Sequence, residues 1–338
     1  MATTLASALP IDAAAVRKEI GKDNLLALWK DMLLIRRFEE RAGKAYLEKK
    51  IAGFLHLYIG QEAVATGFYA HLDSRDASVT TYRCHAQALL LGLDPKELMA
   101  ELYGKVTGNV KGKGGSMHFF SKEKKYLGGH GIVGGQIPVG TGAALTAKYR
   151  KTGGVSVTFL GDGASPQGTF HESLNLAALW NLPAIYVIEN NRYGMGTASH
   201  RAVSVENIAE AKAPGYGMAS FTFDGLDLYA SWKTAQQAVA LARSGKPVLI
   251  EAKTYRFRGH SVSDAASYRS KEELAEYQAR DPIERIKADL IGEKWLSETQ
   301  AEQIDEQVLT RVQEAMKFAD ESAEPPLSDL TRHVFAEE

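Results

Sequence analysis

Asp162 and Asn191 are oxygen donors whose spacing fits a hard metal ion that holds a phosphate. Asp162 lies in Gly161-Asp162-Gly163, and Asn191 closes Glu189-Asn190-Asn191. Mg2+ takes oxygens in octahedral geometry and keeps positions for water and ligand phosphates. A carboxylate, an amide oxygen and a backbone carbonyl just beyond it make a matched set. Two glycines let the backbone approach a diphosphate, and a helix starting near Ser165 turns free N–H groups toward it. Gly and Asp suit ordinary turns, so the triplet alone carries little. Its distance from the paired asparagines carries more.

Regular elements must bring these groups together. Val155 to Leu160 is an apolar, β-branched run cut off by Gly161, which predicts a buried strand. From Pro166 to Leu182, Phe170, Leu174, Ala177, Ala178 and Leu182 recur at helical spacing, and Ala184 to Ile188 is a second apolar strand. In an open parallel sheet the C-terminal strand ends share one edge, where ligands bind, so Asp162 and Asn191 face the same crevice. Ala77 to Thr81 is a further short strand that delivers Tyr82, Arg83, Cys84 and His85. The guanidinium fork and the phenol of Tyr82 and Arg83 suit a diphosphate. Pro247 to Thr254 is another strand, leading toward His260, whose near-neutral pKa suits proton transfer. The expected class is α/β: a doubly wound, mostly parallel sheet flanked by helices.

Other segments read as scaffold. Asn24 to Lys50 predicts a long helix with Leu25, Trp29, Leu33 and Phe38 on its apolar side, and Ser270 to Glu324 is charged and helical until Pro325-Pro326. His56 stands in a glycine-bounded apolar stretch where a packed core histidine is the ordinary outcome, and Cys84 reads as a small packing residue. Lys105, Lys111 and Lys113 mark a solvated basic loop. Gly128 to Gly142 is rich in glycine, but no strand is expected just before it and no acidic residue follows at the dinucleotide distance, which excludes a nicotinamide site. It runs into a small-residue helix from Ala143.

The chain has 338 residues, is 45% hydrophobic and 24% charged, and carries a formal net charge of −1. That balance gives no footprint for nucleic acid or a membrane surface. A single cysteine excludes an intrachain disulfide framework and suits a reducing, cytoplasmic interior. Residues 1–22 read as a mobile arm and residues 23–338 as one α/β domain with a helical C-terminal part.

The Gly-Asp-Gly triplet followed at this distance by Glu-Asn-Asn resembles the thiamine diphosphate signature of the 2-oxoacid dehydrogenases. The closest likeness is to the alpha subunits of the decarboxylating first component that act on pyruvate. It extends through GFLHLYIGQEA, TYRCHAQ, GKGGSMHFF, GGHGIVGGQIPVGTG, ENNRYGMGT and RFRGHSVSD. The resemblance implies a thiamine diphosphate-binding fold with thiamine diphosphate and Mg2+ as cofactors. It implies Asp162, Asn191 and the Tyr193 carbonyl as metal ligands. Tyr82, Arg83 and His260 would hold the diphosphate, Gly131 and Val133 the aminopyrimidine, and Ser121, Gly163 and Ala164 would line the cofactor. Ile132 or Val133 would prop it in a bent shape. His56 and His260 would line the substrate end as catalytic residues. Lys122 to Lys125 makes the segment after Ser121 longer than in some relatives. Ser261 matches a serine that mitochondrial relatives phosphorylate, although Ala265 stands where they often have proline.

The implied activity is oxidative decarboxylation of pyruvate, with transfer of the acetyl group to the lipoyl arm of a dihydrolipoyl acetyltransferase. A separate beta subunit is expected to supply an activating glutamate within an α2β2 assembly. Acetoin and branched-chain 2-oxoacids are the nearer alternative substrates. A non-enzymatic interaction subunit is a more distant reading, opposed by the intact Asp162, Asn191, Arg83 and His260.

Overall fold

Successive strand residues face opposite sides of a sheet, and in this chain both sides are apolar. The computed structural model describes residues 11–332 and residue 334. Its strands are β1 (Ala77–Thr81), β2 (Tyr126–His130), β3 (Ser156–Gly161), β4 (Ala184–Asn190), β5 (Tyr193–Gly194), β6 (Thr197–Ala198), β7 (Ala219–Asp224) and β8 (Val248–Lys253). Six of them form one sheet in the order β2-β1-β3-β4-β8-β7, with every pair parallel. β5 and β6 form a separate antiparallel hairpin.

Alternation assigns each side chain to a face. Val157, Phe159, Ile185, Val187, Val248 and Ile250 join one core with Val64 and Phe68 of helix Glu62–Tyr69 and Ala235 and Ala238 of helix Leu228–Arg243. Leu160, Tyr186, Ile188 and Leu249 join the other, with Ile137 and Ala144 of helix Gln136–Tyr149 and Phe170 and Leu174 of helix Gly168–Leu179. Each such Val, Leu, Ile or Phe side chain, fully buried, contributes roughly 1.5–3 kcal/mol. Strands covered on both faces therefore read as unbroken apolar runs. Gly140 lets its helix lie close on the sheet: a Cβ there would come within 1.9 Å of Thr158 Oγ1.

The helical C-terminal part comprises Lys271–Gln278, Pro282–Gly292 and Glu298–Glu321. Ser297 and Gln300 form a capping box that starts the last of these. Its Val312, Ala315 and Ala319 pack into a core shared with Phe38 of helix Lys22–Leu47 and Leu98 of helix Pro95–Leu102.

Two expectations are corrected, and one strand was not expected. The arm over residues 1–22 contains a helix at Ala13–Ile20, capped by Asp12, with Val16 and Ile20 buried beside Trp29; residues 1–10 lie outside the described set. A strand does enter the glycine tract, because β2 is built from Tyr126, Leu127 and the tract's own Gly128, Gly129 and His130. Glycines hid it, since they lower strand propensity. β7 also went unforeseen, its run of Ala219 to Asp224 being short and interrupted by Ser220 and Thr222.

Candidate active site

The C-terminal edge of the sheet collects the chemistry. Gly161 of β3 pairs with Glu189 of β4, so Asp162 and Asn191 leave adjacent strands about 4.8 Å apart and nearly level. Asp162 is 2% and Asn191 8% exposed. Among the described residues, Asp162 Oδ2 and Asn191 Oδ1 are buried without any hydrogen-bond partner. Buried polar atoms are nearly always satisfied, so two orphaned oxygens at the ends of adjacent strands are a pair that could hold a cation. Burial pushes the Asp162 carboxyl up to about 6, against the pull of Arg256. No three His, Cys, Asp or Glu side chains converge among the described residues. A cation here therefore depends on amide and carbonyl oxygens, which suits Mg2+ better than a softer metal.

Beside this pair lies a cationic pocket. Arg83, 4% exposed, donates to the carbonyls of Leu57 at 2.5 Å and His260 at 2.9 Å. Arg256, 2% exposed, donates to Met195 O, Tyr268 Oη and His260 Nδ1, each at 3.2 Å. All these acceptors are neutral, and burial followed by the nearby Arg256 lowers Arg83 to about 10. Two buried guanidiniums whose hydrogen-bond acceptors are all neutral, with Asp162 and Glu189 near but not paired to them, provide a seat for an anion.

The imidazoles complete the pocket. His56 lies 4.4 Å from the Tyr82 ring and 4.9 Å from the His260 ring, centroid to centroid, and Tyr82 lies 5.5 Å from His260. Burial, then Arg83, lowers His56 to about 4 and His260 to about 3. Both are neutral at pH 7, and their neighbours fix opposite tautomers. His56 Nδ1 meets the His260 carbonyl at 2.9 Å, and a carbonyl only accepts, so Nδ1 carries the proton and Nε2 is basic. His260 Nδ1 meets the Arg256 guanidinium, which only donates, so His260 keeps its proton on Nε2.

The remaining candidates divide. Gly131 follows β2 directly, at the same edge, and Val133 is 47% exposed there. Gly163 and Ala164 lie in the single turn Asp162–Ala164, where a Cβ on Gly163 would stand 3.5 Å from Gly194 Cα. Tyr193 heads the β5–β6 hairpin two residues past Asn191, after Arg192 turns at φ 73°, and its hydroxyl donates to Glu273. Ser121 is elsewhere. It bridges Tyr126, at the N-terminal end of β2, roughly 13 Å of strand from His130. The lysine-rich turn Lys122–Lys125 folds the chain back there.

The family described as dehydrogenase E1 component matches residues 30–328. The chain belongs to that family. It is 45% identical over 315 residues to a protein of Rickettsia felis named pyruvate dehydrogenase E1 component subunit alpha, covering 93% of this chain and 96% of that one. The Rhizobium meliloti protein of the same name is 47% identical over 314 residues, covering 92% and 90%. Pyruvate dehydrogenase E1 component subunit alpha-3, chloroplastic, of Arabidopsis thaliana is 45% identical over 325 residues, covering 94% and 76%.

Dehydrogenase E1 components depend on thiamine diphosphate, and the anion seat and orphaned oxygens are what its diphosphate and metal would require. Sequence reasoning missed three residues of this E1 site. Arg256 sits four residues before His260 in RFRGHSVSD, and a second arginine so near a glycine-histidine pair was the available signal. Gln61 accepts from Asn191 Nδ2 at 3.0 Å. Glu189 hydrogen-bonds the Tyr58 hydroxyl, and burial raises its carboxyl to about 7. No local spacing announces either of those contacts.

Proposed function

We infer that this chain is the alpha subunit of a pyruvate dehydrogenase, acting with a beta subunit on pyruvate and delivering acetyl groups to the lipoyl arm of a dihydrolipoyl acetyltransferase. One observation carries the reading: two unpartnered buried oxygens, Asp162 Oδ2 and Asn191 Oδ1, stand at the sheet edge that also carries the Arg83 and Arg256 anion seat. Asp162, Asn191 and the Tyr193 carbonyl would hold Mg2+; Arg83, Tyr82 and His260 would hold the diphosphate. Bound thiamine diphosphate supplies a nucleophilic carbon and an electron sink for loss of CO2.

The chain's own groups do the rest. His56 Nε2 accepts a proton, and His260 Nε2–H donates to an oxygen of substrate or phosphate. Both rings are neutral, so neither adds charge to a pocket already holding two guanidiniums. The pocket is incomplete in this chain alone: Phe54 (63%), Ile132 (80%) and Met195 (65%) are exposed around it. Apolar side chains rimming a polar site fit an interface, and we assign the beta subunit to it in an α2β2 assembly. Among the described residues no helix is long and apolar enough to cross a membrane. The buried, unpaired Cys84 fits the reducing cytoplasm.

The test is reconstitution with the beta partner and assay against pyruvate, acetoin and branched-chain 2-oxoacids at equal concentration. The account expects kcat/KM to be highest for pyruvate; a preference for either rival overturns the substrate assignment.

A further inference from the structure

The Asn191 carboxamide is nearly symmetric in shape, and a half-turn about its last bond exchanges a metal-binding oxygen for a donor that cannot bind a cation. Something must choose between the two. Asn191 Nδ2 donates to Gln61 Oε1 at 3.0 Å, which leaves Oδ1 free and buried. We propose that Gln61 is a positioning residue for the metal site, holding the Asn191 amide so that its oxygen faces the cation. The proposal rests on the metal reading of Asp162 and Asn191 above.

Gln61 is well placed for this role because its backbone cannot drift. It is fully buried and precedes helix Glu62–Tyr69, and its N–H donates to Tyr58 O at 3.1 Å. Gly60 before it adopts φ +99°, with room for no side chain: a Cβ would stand 2.5 Å from the Tyr255 carbonyl. Phe257 N–H closes the same contact on Ile59 O at 3.0 Å. On the other side the Glu62 carboxylate takes the Gly60 N–H at 2.9 Å and pairs with Arg36, which reaches Asp281 at 2.8 Å. The segment is thus clamped between the residues that follow β8 and the ion pairs of three helices.

Gln61 Nε2 has no partner among the described residues, so the Gln61 side chain satisfies only Asn191. The Gln61 amide has no second partner to stop it turning, so it favours this orientation of Asn191 without enforcing it. A carboxylate in its place, which accepts and never donates, would enforce it. A thioether of similar length cannot supply a comparable acceptor. Groups that orient a ligand in this way typically change metal affinity roughly 10- to 100-fold when removed.

The experiment uses the assembled complex with excess thiamine diphosphate, titrating Mg2+ by calorimetry and Mn2+ by electron paramagnetic resonance. Gln61→Met is expected to raise the metal Kd roughly 10- to 100-fold. Gln61→Glu is expected to keep the Kd within a few-fold of the unsubstituted complex. An unchanged Kd for Gln61→Met overturns the proposal. So does a strongly weakened Gln61→Glu, which also decides the matter if Gln61→Met does not fold. Failure of the unsubstituted complex to bind either metal overturns the underlying metal reading together with it, and is told apart by that control.

Discussion

Arg83 and His260 are tied together by a 2.9 Å hydrogen bond from the guanidinium to the histidine's backbone carbonyl. The side chain suited to grip a phosphate therefore also holds the loop that carries the His260 imidazole. The His56 Nδ1–H donates to the same carbonyl. One backbone oxygen fixes a cation, a base and the loop after β8 in a single arrangement.

Arg83→Lys removes the planar fork while keeping the charge. Hydrogen bonds to charged groups are worth about 1.5–3 kcal/mol, so thiamine diphosphate binding should weaken roughly 10- to 100-fold. Calorimetry on the assembled complex measures it. Unchanged affinity would remove Arg83 from the anion seat.

Acid should destabilise the chain through its buried imidazoles. His56 and His260 titrate at about 4 and about 3 in the folded chain, against about 6.5 when unfolded. Between those values the unfolded state binds more protons, so their contribution to stability is full above about 6.5 and is lost as pH falls toward 3. Thermal melts of the unliganded chain from pH 7 to pH 4 check this by comparison. His260→Asn should flatten the decline in Tm, and an unaltered slope contradicts the assigned ionisation.

Glu101 should govern the loop before Ser116. Its buried carboxylate accepts the N–H groups of Val110, Gly112, Gly114 and Gly115 at 2.7–3.1 Å. Glu101→Ala leaves those donors without a partner, at a cost of about 1–3 kcal/mol for each one that stays buried. Trypsin cleavage after Lys111 and Lys113 should accelerate at least tenfold, by tenfold per 1.4 kcal/mol of easier opening. An unchanged rate would show that the loop is held elsewhere.

Ile132→Asp should block assembly and spare the fold. The side chain is 80% exposed at the site edge, so a charge costs the isolated chain little but sits badly in an apolar interface. Sedimentation with the beta partner should show loss of the complex at unchanged Tm. Full assembly would move the interface to another face.

Strands covered on both sides were legible because they are continuous apolar runs: β1 falls on Ala77–Thr81 as expected, and β3, β4 and β8 fall within a residue or two. Asp162, Asn191, Tyr82, Arg83, His56 and His260 were legible as residue types at strand ends or through the family motifs that contain them. Gln61, Arg256 and Glu189 were not. Their places at the site come from contacts across the sheet edge, such as the hydrogen bond between Gln61 and Asn191, 130 residues apart, which no periodicity encodes. Ser121 was placed by motif alone, and the turn at Lys122–Lys125 sets it beside Tyr126 at the N-terminal end of β2, apart from the other candidates. The helix at Ala13–Ile20 is short and alanine-rich with two buried side chains, Val16 and Ile20, and its packing beside Trp29 reveals why it is ordered.

The most direct measurement is calorimetric titration of thiamine diphosphate with Mg2+ into the chain alone and into its complex with the beta partner, with Asp162→Ala as control. The account predicts tight binding to the complex, weak or absent binding to the chain alone, and loss of binding in the variant. No binding to a complex shown to be assembled and folded would contradict it.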